Sequence, residues 1–160
     1  MGSAPVRSRF FAGLSPAAAS AVGERLRFTM LEQGDVLFHE GERGRSLFLV
    51  CDGEVVALQT GDGAAITLQR YHPGDFFGVA SLIEAALRPW TVVAGTPVRL
   101  AELTDSEFAA VYRDDPGSYV QLLHNVIREL LRALQGAAEG AAAAQEVTQA
   151  DTTQLRLDRS

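Results

Sequence analysis

Short hydrophobic runs separated by glycine-containing turns dominate the chain between about residues 27 and 103. Runs of this length, broken at close and fairly even intervals, are typical of an all-β sandwich or jelly roll rather than of alternating strands and helices. Glu54–Gln59 lacks clear alternation, so we expect both faces of that strand to be covered. The predicted strands are Arg27–Leu31, Val36–His39, Ser46–Cys51, Glu54–Gln59, Ala65–Tyr71, Trp90–Ala94 and Val98–Leu103.

Helical patterns flank this region on both sides. Ser15 followed by Pro16 predicts the start of a short helix that ends around Gly23. Thr104 and Glu107 have the spacing of a capping box, in which each side chain accepts a hydrogen bond from the other's backbone amide. That pair predicts a helix over residues 105–113, and a longer helix after the break at 114–117. The fold class predicted is mainly β, a jelly roll or β-roll of about eight strands with a short N-terminal helix and two C-terminal helices.

The longer C-terminal helix carries a broad apolar stripe. Its apolar residues recur at three- or four-residue intervals as far as Leu134, and a stripe this wide can serve both its own domain and a partner helix. The alternative is a helix packed only on its own barrel. We predict a homodimer with an interface formed by Tyr119, Leu123, Ile127, Leu130 and Leu134.

Beyond Gln135 the apolar stripe ends and an alanine-rich segment follows. Alanine favours helix, but Gly136 and Gly140 argue for a frayed extension or linker. We therefore divide the chain into an N-terminal tail (1–8), one domain (9–135) and a flexible, alanine-rich tail (136–160). About 25 residues after Gln135 are too few for a helix-turn-helix domain, so we expect the output to pass through a protein effector or self-association.

The composition limits the classes of partner and the cellular compartment that we expect. The 160 residues carry 20 acidic and 14 basic side chains, a net charge of -6, without a Lys/Arg cluster of useful size. We therefore expect no nucleic-acid partner and no membrane attachment. The N-terminus lacks the apolar stretch of a secretory signal, and Cys51 is the only cysteine, so a reducing, cytoplasmic location is expected. We expect the Cys51 side chain to be buried or half-buried.

Residue types used in catalysis or metal binding form no recognisable pattern. His39, His72 and His124 are far apart in the sequence, which argues against the metal site of a cupin-type enzyme. We find no nucleophile motif and no glycine-rich loop for nucleoside triphosphates, and the carboxylates are scattered. We therefore predict no enzyme activity, no metal and no cofactor, and keep a jelly-roll enzyme as an alternative.

Several segments, in order, carry a resemblance to a known family. They are Phe11–Ser15, Leu31–Gly41, Ser46–Gly53, Gly74–Gly78 and Thr91–Ala94. Over about residues 9–135 the chain resembles the cyclic-nucleotide-binding domain of proteins similar to the catabolite activator protein. The resemblance implies a β-roll with a phosphate-binding cassette that begins near Gly78. The implied ligand-binding residues are Phe77, Gly78, Val79, Ala80, Ser81, Arg88, Pro89 and Trp90.

The cassette departs from the family pattern at two positions. In the family, a glutamate accepts a hydrogen bond from the ribose 2′-hydroxyl, an arginine pairs with the cyclic phosphate, and the next backbone amide faces that phosphate. The resemblance places Val79 at the glutamate, Arg88 at the arginine and Pro89 after it. Valine has no acceptor and proline has no N–H. The bulky Trp90 follows where the family has a small residue, so we expect it to fill space that a nucleotide would occupy.

Two hypotheses follow from this cassette. The first is a stand-alone, degenerate domain that acts as a regulatory or scaffolding module through protein–protein contact. The second is a cytoplasmic sensor that still binds a cyclic mono- or dinucleotide through Arg88 and signals to a partner. The first treats Arg88 as a surface arginine or one paired locally with Glu84, and the second treats it as a retained anion site.

Overall fold

Ten short strands and four helices make up most of the chain that the structure describes. The computed structural model describes residues 7–157, with side-chain surroundings for 7–142, so residues 1–6 and 158–160 of the two predicted tails lie outside it. The strands are β1 (Arg27–Leu31), β2 (Val36–Phe38), β3 (Arg43–Gly44), β4 (Ser46–Asp52), β5 (Val55–Gly61), β6 (Ala64–Tyr71), β7 (Phe76–Phe77), β8 (Ala86–Leu87), β9 (Thr91–Ala94) and β10 (Val98–Thr104). The helices are α1 (Pro16–Gly23), α2 (Val79–Ile83), α3 (Asp105–Asp114) and α4 (Pro116–Leu157), and a 3-10 turn (Arg9–Phe11) precedes α1.

The strands form two four-stranded antiparallel sheets that share one core. The first sheet has the order β1-β10-β4-β7 and the second the order β2-β9-β5-β6, while β3 and β8 pair as a separate ribbon. Buried side chains from both sheets meet in one cluster, with Phe48 and Leu100 from the first sheet and Phe38 and Val92 from the second. This is the β-roll that the sequence predicts, with ten strands in the described part rather than about eight.

The seven predicted strands are all present, with ends that agree within two residues. The three strands that the sequence analysis missed, β3, β7 and β8, have two residues each, which is too short to show any alternation. The prediction that the strand at Glu54–Gln59, which corresponds to β5, is covered on both faces is confirmed for the first half of β5. Its successive residues Val55, Val56 and Ala57 are all buried, and successive residues of a strand point to opposite faces.

The helices before and after the roll begin at the predicted caps. Ser15 Oγ accepts a hydrogen bond of 3.1 Å from the amide of Ala18, and Thr104 Oγ accepts one of 3.2 Å from the amide of Glu107. The predicted capping box is therefore only half formed. The Glu107 carboxylate pairs with the Arg25 guanidinium at 3.0 Å, which is a stronger, charge-assisted contact for that group.

The last helix runs further than the sequence analysis expects. The backbone of α4 is helical to Leu157, past Gln135 and through Gly136 and Gly140. Each glycine disfavours helix by about 1 kcal/mol relative to alanine, and the surrounding alanines have the highest helix propensity of any residue. The structure divides into two units, one ending at Asn125 and the other beginning at Val126. The predicted division at residue 135, and a flexible tail beyond it, stay predictions.

Candidate functional site

The predicted ligand-binding residues lie in one segment between β7 and β9. β7 leads into Gly78, which adopts a left-handed conformation (φ 82°) and caps α2, and α2 is followed by β8 and then by Arg88. A Cβ on Gly78 would meet Arg88 Nη1 at 2.9 Å and the carbonyl oxygen of Ser46 at 3.1 Å. Glycine is therefore required here both by the backbone conformation and by the close approach of the arginine.

Arg88 is buried, which corrects the interpretation of it as a surface arginine. Its exposed fraction is 5%. Nη1 donates a hydrogen bond of 3.2 Å to Ser81 Oγ, and Nη2 donates one of 3.1 Å to the carbonyl oxygen of Ser46. The predicted pairing with Glu84 is also wrong, because the guanidinium turns inward to β4 and α2 while Glu84 is exposed.

Aromatic rings of the roll interior lie against the Arg88 guanidinium. Its central carbon is 4.2 Å from the ring centroid of Phe38 and 5.6 Å from that of Phe48. These two rings pack with Phe77 at centroid distances of 6.4 and 5.6 Å, and Tyr71 stacks on Phe77 at 4.8 Å. The guanidinium therefore forms cation–π contacts with this aromatic cluster. Such contacts stabilise a desolvated charge by about 0.5–2 kcal/mol.

The electrostatic environment of Arg88 is dominated by desolvation. Burial lowers the pKa of Arg88 below its usual value, and the charges of Glu102 and Glu42 partly oppose that shift. The guanidinium stays protonated at neutral pH, because arginine is the strongest base among the side chains. No carboxylate in the described part of the chain forms an ion pair with it, although other arginines such as Arg25 and Arg45 do form such pairs.

The structure brings only three of the predicted ligand-binding residues together, namely Gly78, Ser81 and Arg88. Of the others, Phe77 and Trp90 belong to the core or pack on it. The remaining three are partly or fully exposed: Val79, Ala80 and Pro89. Val79 and Pro89, the two altered positions, have side chains without a donor or acceptor, so neither can form a hydrogen bond with the guanidinium.

Two residues of this site were not found by sequence reasoning. Ser46 supplies the carbonyl acceptor, and a Cβ on Gly44 would lie 2.3 Å from Ser81 Oγ and 2.4 Å from Arg88 Nε. Gly44 pairs with Ala86 across the β3–β8 ribbon, which holds its backbone against the arginine. The glycine itself was visible in the sequence, but its neighbour is 44 residues away and no local pattern indicates that contact.

The α4 residues of the predicted interface differ in exposure. Tyr119 packs its ring on Phe108 of α3 at a centroid distance of 4.6 Å, and Leu123 is half-buried. Ile127, Leu130 and Leu134 are exposed by 52, 41 and 67%. Residues three or four apart share one face of a helix, so these three form an apolar strip, here called the α4 strip.

Other candidate groups are engaged elsewhere or form no cluster. His39 contacts Glu42 at 2.9 Å and His72 contacts Glu54 at 3.1 Å, whereas His124 is exposed. Over residues 7–142 we find no group of three or more metal-ligating side chains. No helix in the described part of the chain is long and apolar enough to cross a membrane.

Comparison with known proteins places this arrangement in a family. The family model of the cyclic nucleotide-binding domain matches residues 28–115, more than half of the chain. The chain belongs to the cyclic nucleotide-binding domain family. The matched segment includes the whole cassette from Gly78 to Arg88 and ends at the residue before α4.

Relatives of this cyclic nucleotide-binding domain include regulators of two kinds. The cAMP-dependent protein kinase regulatory subunit of Hypocrea atroviridis is 34% identical over 95 residues, which cover 59% of this chain and 20% of that protein. The CRP-like cAMP-activated global transcriptional regulator of Mycobacterium tuberculosis is 28% identical over 127 residues, 79% of this chain and 57% of that protein. The crystal structure of the Thermus thermophilus catabolite activator protein matches with a TM-score of 0.73 and 30% identity, over 81% of this chain and 60% of that one. The chain thus spans less than two thirds of each relative.

Proposed function

We propose that this cyclic nucleotide-binding domain is a non-enzymatic, cytoplasmic regulatory module that acts by protein–protein contact. Its cassette no longer holds a cyclic nucleotide in the usual way. The observation that carries the proposal is that the Arg88 guanidinium is already bound by groups of its own domain. The guanidinium that the family directs at the cyclic phosphate donates to Ser81 and Ser46 and lies on Phe38.

The altered cassette positions support the same proposal. With Val79 in place of the glutamate, a bound ribose 2′-hydroxyl would be buried without an acceptor, which disfavours binding by about 1–3 kcal/mol. With Pro89 after the arginine, one charge-assisted hydrogen bond to the phosphate is lost, about 1.5–3 kcal/mol. Together these losses weaken binding by about two to four powers of ten.

The α4 strip is the surface through which we propose that the module acts. Ile127, Leu130 and Leu134 keep between 41 and 67% of their surface exposed, on one face of one helix. Burial of a leucine side chain contributes about 1.5–3 kcal/mol. A second copy of the chain presents the same strip, so we propose a homodimer through α4, with a protein effector as the next partner.

Light scattering on the full chain tests this surface. We expect the mass of two chains at micromolar concentration. Leu134→Glu should weaken the dimer by about 100-fold or more, because each copy loses one buried leucine. The matched control, Gln135→Glu, adds the same charge at the next helix position and should leave the mass unchanged. A monomeric wild-type chain, or equal loss in both variants, would contradict the proposed interface.

A second candidate function is a sensor that still binds an anionic ligand at Arg88. The observation in its favour is the absence of a carboxylate partner for this buried cation within the described residues, since buried charges are usually paired. In this case, a cyclic mono- or dinucleotide would bind saturably, and Arg88→Ala would abolish the binding. Saturable binding of that kind would decide between the two functions in favour of the sensor.

A further inference from the structure

The apolar surface of α4 is wider than the α4 strip. Leu131 does not belong to the strip, yet it is exposed by 52%, as much as Ile127 within it. Successive residues of a helix are about 100° apart, so Leu131 lies about 40° from Ile127 on one side and Leu130 about 60° from it on the other. The exposed large apolar residues of this segment therefore cover about 100° of the helix surface.

The heptad positions of residues 127–141 show why this width matters. In a heptad written abcdefg with Ile127 at position a, the α4 strip occupies only positions a and d. Two-stranded coiled coils often carry charged residues at e and g, on either side of that seam. In α4 the residues at e and g, here called the α4 flanks, are uncharged and exposed: Leu131, Ala133, Ala138 and Gly140.

The charged residues of this segment all lie at the remaining heptad positions b, c and f. They are Arg128, Glu129, Arg132 and Glu139. A helix with apolar residues at a, d and also e or g is typical of a bundle core, whereas an apolar seam of a and d alone is typical of a two-stranded coiled coil. Residues 127–141 therefore have the pattern of a helix that packs against more than one neighbouring helix.

We propose that two α4 dimers combine into a four-helix bundle over residues 127–141. In this bundle the α4 strips of four copies face one central axis, and the α4 flanks lie between neighbouring helices. This inference rests on the homodimer proposed above and adds a second association step to it. Ile127 at a and Leu130 at d favour two strands, so we expect dimers at micromolar concentration and the bundle only at higher concentration.

A second α4 dimer is the partner that fits this surface. Charges at e and g normally determine which helices associate. The α4 flanks have no charges, so they neither attract a charged foreign helix nor repel another copy of the chain. Apart from Leu131 the flanks are alanine and glycine, and such small side chains let neighbouring helices approach closely. A ring of four identical helices is closed, so association stops at four copies.

Sedimentation velocity on the full chain, from micromolar to millimolar concentration, tests the bundle. The wild-type chain should change from the mass of two copies to the mass of four as its concentration rises. Leu131→Ala should weaken this second step by about 100-fold or more, because four leucine side chains in the bundle are truncated. Leu131→Glu should abolish the step, because it places four like charges between neighbouring helices. Both variants should keep the mass of two copies, because Leu131 lies outside the α4 strip.

Two further variants test whether the effect belongs to the flanks. Ala138→Glu changes the next e position and should also give a chain that stops at two copies. The matched control, Gln135→Glu, adds the same charge at a b position and should still reach four copies.

The outcomes separate this inference from the homodimer on which it rests. A wild-type chain that stays a dimer at millimolar concentration overturns the bundle and leaves the homodimer intact, whereas a chain that stays monomeric contradicts both. The bundle is also overturned by a species of three copies, or by equal loss of the second step in Gln135→Glu. If Leu131→Glu is monomeric, Leu131 belongs to the dimer contact and the separate second step is wrong.

Discussion

Restoring the two altered cassette positions should restore nucleotide binding if the account of the cassette is correct. Val79 is the first residue of α2, directly after Gly78. Val79→Glu supplies the missing acceptor, worth about 1–3 kcal/mol. Pro89→Ser supplies the missing amide, and because Pro89 is exposed we take the lower end of its range, about 1.5 kcal/mol. The double variant should therefore bind cyclic AMP about two to three powers of ten more tightly than wild type.

Calorimetric titration of cyclic AMP into both proteins measures this difference. The first control is Ile83→Glu, which adds a carboxylate at an exposed position of the same helix and should have no effect. The second control adds Arg88→Ala to the double variant and should remove the gained affinity. An unchanged affinity in a folded double variant would refute the argument that these two groups limit binding.

Three further predictions concern stability and reactivity. Gly44→Ala should lower the free energy of unfolding in urea by about 1–3 kcal/mol, because its Cβ would lie 2.3 Å from a buried hydroxyl, while Gly61→Ala, with nothing within 4 Å, should change it little. Asn125→Ala should lower it by about 2–3 kcal/mol, because its amide donates two hydrogen bonds of 2.8 Å to backbone carbonyls; exposed His124→Ala is the control. Burial raises the pKa of the Cys51 thiol, so at one mildly alkaline pH alkylation should be slower in the folded protein than in urea.

The regular part of the fold could be predicted from the sequence because its signals are local. Turn glycines and hydrophobic runs located seven strands, and the side-chain caps at Ser15 and Thr104 located two helix starts. Elements of two residues give no periodicity, so β3, β7 and β8 could not be predicted. The extension of α4 was underestimated because two glycines were weighed more heavily than the alanines around them.

The state of Arg88 could not be predicted, because it depends on contacts between distant segments. Ser46 and Phe38 lie 42 and 50 positions before Arg88 in the chain, and each meets it only after the two sheets close. Local sequence offered Glu84 as a partner four residues away, and that prediction was wrong. The exposure of both faces of β6 could not be predicted either, because the sequence of β6 has the pattern of an ordinary strand.

The central claim, that this cyclic nucleotide-binding domain does not hold a cyclic nucleotide in the usual way, is tested most directly on the unaltered chain. The measurement is a calorimetric titration with cyclic AMP and with cyclic GMP, with Arg88→Ala as the control. We expect no saturable heat up to millimolar nucleotide. Micromolar or tighter binding that is lost in Arg88→Ala would contradict it and establish the chain as a nucleotide sensor.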